Sequence, residues 1–419
     1  MIIRILFTLC LLLGHGSALH AQTWEKLKST FGMEEVPEPA KIKVLINPLV
    51  DGALLEIKGA YNIFNPLNGE RLGTRFFKKS RFVQPQGGGL KWGEEFPGIF
   101  QVAFVPDDES TTILINGIEY RGSVYVYQIG NDKISVVNEV DIEDYVKSTL
   151  GVMLDEPSTP EAMAAISIIA RTDAHFQRER NLGKFWHITA KDADYRGFAV
   201  TFRHNGVDAS VDATKHLVMN DVVNGGPFPA RWTENSGGKT ASYQAIFRQG
   251  MPGPQNGVEA PYSAMSRAEN TWSYTISRED LARKAKLGNI SDLKVFRDRE
   301  SERVYALRLN DGFHSRDVGF LSLQKILGKN NVQSSDFTLS LEDGMVIFEG
   351  YGKGHGVGLC LYSAEIMADK GDDASKILSA FFPDVFISMA EEVLPSTNRV
   401  GINANMAMEA SEAQEADIR

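Results

Sequence analysis

Cysteine, clustered basic residues and long apolar stretches are scarce in this 419-residue sequence. There are only two cysteines, Cys10 and Cys360. Cys10 sits inside an N-terminal apolar run, so a chain that loses this run keeps Cys360 as its only thiol. That excludes an internal disulfide and leaves no basis for a cysteine zinc site. The net charge is −10, with no Lys/Arg run, which argues against a nucleic-acid partner. Beyond the first residues no stretch approaches the roughly 20 apolar residues of a membrane-spanning helix. Internal repeats are also missing. The Gly238-Lys239-Thr240 triplet evokes a phosphate loop, but that motif needs a glycine where Thr233 stands, which excludes nucleotide binding.

Other features are well represented. Hydrophobic residues make up 43% of the chain, enough for a real core. Residues 1–21 read as a secretory signal: Arg4, an apolar run from Ile5 to Leu13, then small residues at Gly16, Ser17, Ala18 and Ala21. The chain is therefore expected to be exported to the periplasm or cell envelope, and to touch a membrane only if this segment is retained. Residues 22–40 form a polar linker ending in Val-Pro-Glu-Pro. Residues 41–140 alternate short apolar strands with turn pairs such as Asn68-Gly69, Asn116-Gly117 and Asn131-Asp132, a β-rich N-terminal part. Residues 141–390 mix helices and strands and form the expected core. Residues 391–419 carry six acidic and two basic residues with little periodicity, the composition of a disordered tail.

Two stretches stand out within the core. Ser158-Thr159-Pro160-Glu161 reads as a capping box opening a helix that runs to about Arg180. The helix is lined with alanine and isoleucine and should be buried, so Arg171 on it needs a partner, either a carboxylate or a substrate. The second stretch is Tyr351-Gly352-Lys353-Gly354-His355-Gly356-Val357-Gly358, leading into a helical reading of Leu359–Lys370 closed by Gly371. A glycine-rich loop entering a helix can aim N–H groups at an anion or a carbonyl oxygen, with Lys353 and His355 adding a cation and a proton donor or acceptor. The same glycines could instead serve only a tight turn.

Four segments in register resemble the SpoIID/LytB family of bacterial cell-wall proteins: Val140–Tyr145 ahead of Gly151–Glu156, Glu161–Thr172 ending in Ala-Arg-Thr, Ser236–Thr240, and the glycine loop with Met367-Ala368 and Ile377-Leu378 behind it. The resemblance implies an α+β, SpoIID-like fold, mostly antiparallel β with a buried central helix and a β-rich N-terminal subdomain. It further implies a peptidoglycan lytic transglycosylase or an amidase enhancer, acting on glycan strands beside an N-acetylmuramoyl-L-alanine amidase. The family's acid falls on Glu156. Arg171, Tyr195, Ser236, Gly237, Tyr351, Lys353 and His355 are the implied substrate-binding residues. No metal and no cofactor are implied.

This chain departs from the family pattern at several places. Ala164 and Ile166 replace a lysine and a glutamine, and Thr233-Glu234 replaces a His-Ser pair. Leu359-Cys360-Leu361-Tyr362-Ser363-Ala364 replaces Met-Ser-Gln-Trp-Gly-Ala. Glu234 or Asp155 would be the second carboxylate that an ordinary glycosidase needs.

Overall fold

The computed structural model describes residues 40–75, 78–130, 132–154, 158–198, 206–254 and 256–390. The expected signal, the acidic tail, nearly all of the linker, Asn131, Asp155 and Glu156 lie outside the described residues. Strands dominate, with helices interspersed, which makes this an α+β fold rich in antiparallel sheet. No helix among the described residues is long and apolar enough to cross a membrane.

The chain forms two compact units. One gathers the residues up to 157, Ala174–His216 and the residues from Met389 on; the other holds Ser158–Asp173 and Leu217–Ser388. The first unit contains a seven-stranded and a six-stranded sheet. In the larger sheet, Lys41–Val50 pairs antiparallel with Lys133–Asp141, Val44 facing Asn138, and only Ile188–Thr189 runs parallel to its neighbour. The alternation of Ile42, Val44 and the residues opposite them puts one face into the core. Trp92 of the six-stranded sheet lies edge-on to Tyr61 and Phe104 of the other, at 5.9 and 4.7 Å between ring centres. The Asn116-Gly117 pair forms a two-residue hairpin between Thr112–Ile115 and Ile118–Tyr120, as its residue types require.

The strand Lys133–Asp141 takes in Val140, and the Asp141 carboxylate accepts the Glu143 N–H at 2.6 Å to cap the helix Ile142–Met153. That helix runs through Gly151, the first residue of the family-like segment Gly151–Glu156, and ends at Met153.

The second unit is built from a core cluster that includes Trp272, Leu281, Val304, Leu307, Phe320, Phe337, Val346 and Phe348. A three-stranded sheet, Thr271–Ser277, Met345–Tyr351 and Phe337–Glu342, delivers the chain into the glycine loop. Ser277 caps the helix Arg278–Lys284 by accepting the Asp280 N–H.

The long helix Pro160–Arg180 is buried as expected, with Ala162–Ile169 almost entirely shielded. Two of its hydroxyls bond back within the helix: that of Ser167 donates to the Met163 carbonyl and that of Thr172 to the Ile168 carbonyl. The helix begins at Pro160, one residue later than a Ser158 capping box would place it. Ala364, Cys360 and the residues around them belong to a short strand, Leu359–Cys360, followed by the helix Leu361–Asp369, rather than to one continuous helix from Leu359.

Candidate functional site

Tyr351 ends a strand, and the glycine loop then threads between two other segments of the second unit. On one side, Lys353 and Asn235 exchange backbone hydrogen bonds, each 2.9 Å, and Leu359–Cys360 pairs in parallel with Trp232–Thr233. On the other, Gly354 donates to the Gln333 carbonyl at 2.8 Å and accepts from Ser335 at 3.3 Å. Gly352 donates to Asn270, Gly356 to the Thr233 hydroxyl, and Val357 to Nδ1 of His355.

The N–H groups of Gly352, Lys353, Gly354, Gly356 and Val357 are thus taken up inside the protein. This corrects the expectation that the loop aims them at a ligand. The glycines serve close packing instead. Gly356 has φ +78°, and a methyl group there would fall 2.2 Å from Cζ of Arg303. At Gly358, φ +76°, it would fall 2.0 Å from the Arg231 carbonyl oxygen. Only glycine combines that backbone angle with that proximity.

Arg303 is the pin beneath the loop. It is wholly buried and donates to the carbonyls of Ser236 and Lys239 and, at 2.9 Å, to the Ser335 hydroxyl. Arg267 plays a similar part nearer the surface: it pairs with Asp336 at 2.5 Å, donates to the Gly237 carbonyl at 2.6 Å and lies 3.9 Å over the Tyr351 ring. Neither arginine was singled out from the sequence, where each is one charge in a polar stretch.

Several expected binding residues prove to be internal. The Ser236 hydroxyl is shielded and meets the Ser263 hydroxyl at 2.9 Å. The Gly237 N–H is held by Oδ1 of Asn235. Arg171 is fully buried and donates to the Leu217 carbonyl at 3.2 Å, while the Thr172 hydroxyl accepts the Met219 N–H. The Ala-Arg-Thr ending therefore docks the strand Leu217–Asp221. Tyr195 lies in the other unit, its hydroxyl on Oδ1 of Asn138 at 2.7 Å. Ala164 and Ile166, at the family's lysine and glutamine positions, are core residues.

The side chains left at the surface are fewer. Lys353, 58% exposed, pairs with Glu234 at 2.5 Å across the loop. An exposed pair of this kind contributes at most about 1 kcal/mol to stability, so its charges stay accessible to a ligand. Tyr351 and His355 are half-buried. Next to Val357 and Gly358 opens a small pocket walled by Phe228, Arg231, Tyr243, Pro252 and Phe382 among others. Asp173 orients Arg231 in that wall at 2.5 Å.

His355 has its Phe247 neighbour edge-on at 5.3 Å. Burial, then the charges of Arg231, Arg303 and Lys329, pull its pKa down from 6.5 to about 3. The folded protein keeps this imidazole neutral, whereas the unfolded chain takes up a proton below 6.5. The stability it contributes is therefore present above pH 6.5 and lost as pH falls from 6.5 towards 3. His187 in the other unit, also lowered to about 3, adds to the same loss. Urea unfolding at pH 7 and pH 4.5 should show a smaller drop in midpoint for His355→Gln than for the unaltered protein. An equal drop would exclude His355 as a source.

Glu156 lies outside the described residues, which resume at Ser158. Glu365, on the helix that follows the glycine loop, accepts the Thr159 N–H at 2.9 Å and the Ser158 hydroxyl proton. The start of the long helix and the helix that follows the glycine loop thus meet within the second unit.

A family model described as stage II sporulation protein, SpoIID, matches residues 130–220, from the last strand of the β-rich part through the long helix to Asn220. An uncharacterized protein of Chlamydia pneumoniae is 36% identical over 196 residues, 46% of this chain and 71% of that protein. One from Chlamydia muridarum is 35% identical over 198 residues, 47% of this chain and 68% of that protein. A third, from Brachyspira hyodysenteriae, is 28% identical over 350 residues, 83% of this chain and 92% of that protein. The match over the long helix and the strand it docks, with these relatives beside it, establishes that the chain belongs to the SpoIID family and that its role is related to the cell wall.

Proposed function

We propose that the protein is an exported peptidoglycan lytic transglycosylase that cuts glycan strands, with their stem peptides removed, beside an N-acetylmuramoyl-L-alanine amidase in the periplasm or cell envelope. Glu156 is the general acid. Its proton passes to the glycosidic oxygen as the bond from C1 of the muramic sugar breaks. The 6-hydroxyl of that sugar then closes on C1 and returns a proton to the Glu156 carboxylate, so no water and no second carboxylate take part. The observation that carries this reading is the hydrogen bonding of Ser158 and Thr159 to Glu365, which ties the chain two residues after Glu156 to the helix behind the glycine loop. The exposed Lys353–Glu234 pair offers charge for the polar groups of a sugar strand. The aromatic pocket beside Val357 offers flat apolar faces for sugar rings.

A second reading, a glycan-binding amidase enhancer without activity of its own, is favoured by Ala164 and Ile166 in the core and by the loop N–H groups that bond internally. Incubation of the purified protein with peptide-stripped glycan decides between them. The first reading expects 1,6-anhydro-muramic ends to accumulate. Binding without such ends, together with stimulation of an amidase, overturns it in favour of the second.

A further inference from the structure

The three-stranded sheet Asp292–Arg297, Val304–Asn310 and Ser315–Gly319 of the second unit turns one face to the core. Leu307 and Leu309 sit in the core cluster, with Leu293 and Val295 packed against it. The residues between them point the other way, as strands require. On that outer face Lys294 is opposite Arg308, Phe296 is opposite Ala306, and Arg308 is opposite Asp317. The register slips between Phe296 and Arg297, and such a bulge re-aims a side chain. Here the Tyr305 ring lies beside that of Phe296, centres 6.0 Å apart and planes 15° from parallel.

Both rings are half-buried, and three exposed cations stand over them. Arg308 is 5.0 Å and Lys294 5.5 Å from the centre of Phe296, and Arg248 is 4.4 Å from that of Tyr305. The electron-rich ring faces attract these charges. Asp317 binds Arg308 through two hydrogen bonds of 2.7 Å. Lys294 and Arg248 pair with no carboxylate among the described residues. The rings thus hold two cations in place without neutralising them, on a protein of net charge −10.

This face continues from the pocket beside Gly358. Arg248 caps the C-terminus of the helix Tyr243–Phe247. Tyr243, at the other end, lines the pocket and stacks on Phe247 at 4.4 Å. Aromatic rings therefore lead from the pocket, along one short helix, to the outer face of the sheet.

We propose that this face is a second binding surface for the glycan strand, holding a stretch of it that extends beyond the pocket. The proposal deepens the function given above and rests on peptide-stripped glycan being the ligand, a premise both readings share. Hydrolysis of the muramoyl–alanine amide leaves a carboxylate on each muramic sugar, and Arg248 and Lys294 supply cations for it. The flat faces of the sugars carry slightly positive C–H groups, which suit the electron-rich faces of Phe296 and Tyr305.

The test is binding of the full-length protein to long peptide-stripped strands, measured at low salt and in the cold so that turnover is negligible. Arg248→Gln and Lys294→Gln remove an exposed charge and keep its length; Tyr305→Leu removes the ring and keeps an apolar side chain. Each should weaken binding about fivefold, the worth of one exposed charge or ring. Strands whose carboxyl groups have been reduced to alcohols should bind the unaltered protein about tenfold more weakly, and Arg248→Gln should then make little further difference. Arg283→Gln, which removes the exposed partner of Asp280 on the helix Arg278–Lys284, should bind like the unaltered protein. If Tyr305→Leu lowers the melting temperature, the two glutamine variants decide. Unchanged affinity in both overturns the surface. Equal weakening in Arg283→Gln overturns it as well, because only total charge would then count. Equal binding of acidic and reduced strands overturns the proposal, and so does loss of amidase binding with glycan binding kept, which would make the face a protein interface. None of these results touches the transglycosylase reading. That reading falls if the unaltered protein binds strands but releases no anhydro-muramic ends, and the surface then stands.

Discussion

Glu156→Gln is expected to lower the release of anhydro-muramic ends by about 10²–10⁴-fold, the usual contribution of a positioned general acid. Glutamine preserves the size and one acceptor oxygen of the glutamate but has no proton to give. Binding of the glycan should change little, because the side chain's contribution arises as the glycosidic bond breaks. The loss should therefore lie in kcat rather than KM, read by quantifying product ends over time at saturating glycan. Equal rates for both proteins would reject this residue as the acid. A loss accompanied by a fall in melting temperature would point to a damaged fold instead, so both are measured on the same preparation.

Gly356→Ala should be among the most damaging small substitutions in the second unit. The φ of +78° costs a non-glycine residue about 1–2 kcal/mol. The added methyl would fall 2.2 Å from Cζ of Arg303, a wholly buried guanidinium that cannot swing into solvent. Displacing it strips hydrogen bonds from Ser236, Lys239 and Ser335, at about 1–3 kcal/mol for each group left without a partner. A total loss of about 4 kcal/mol or more is expected, a melting temperature lower by more than about 8 °C. Gly371→Ala is the matched comparison: its φ is +92°, but nothing lies within 4 Å of the added methyl. It should lose only the backbone cost of about 1–2 kcal/mol. Similar losses for the two variants would show that backbone angle, and not the contact with Arg303, governs the loop.

The strand Lys41–Val50 was legible from the alternation of Ile42 and Val44, and Lys133–Asp141 from its apolar run Ile134–Val137, which is buried on both faces. Gly89–Trp92 and Glu94–Pro97 were not, since four residues among glycine, glutamate and proline carry no usable period. The helix Phe320–Leu327 escaped notice for a related reason: a short apolar run does not distinguish helix from strand. At the site, the glycine loop was found from composition, and its neighbour Ser236–Thr240 from the family resemblance. Their roles were not. What the loop's N–H groups do depends on Gln333, Asn235 and Thr233, and what the glycines avoid depends on Arg303, all remote in the chain. The same holds for the long helix, whose cap resides on Glu365 rather than on the residues that precede it.

The contact between the Thr233 hydroxyl and the Lys353 carbonyl joins positions 120 residues apart. At a synthesis rate of roughly 5–20 residues per second, Thr233 is made on the order of ten seconds before its partner exists. Throughout that interval the edge at Trp232–Thr233 has no neighbour, and the polar backbone there is open to mispairing. The C-terminal third of the chain is thus what completes this fold, and a nascent chain halted before Lys353 would be exposed to aggregation at that edge.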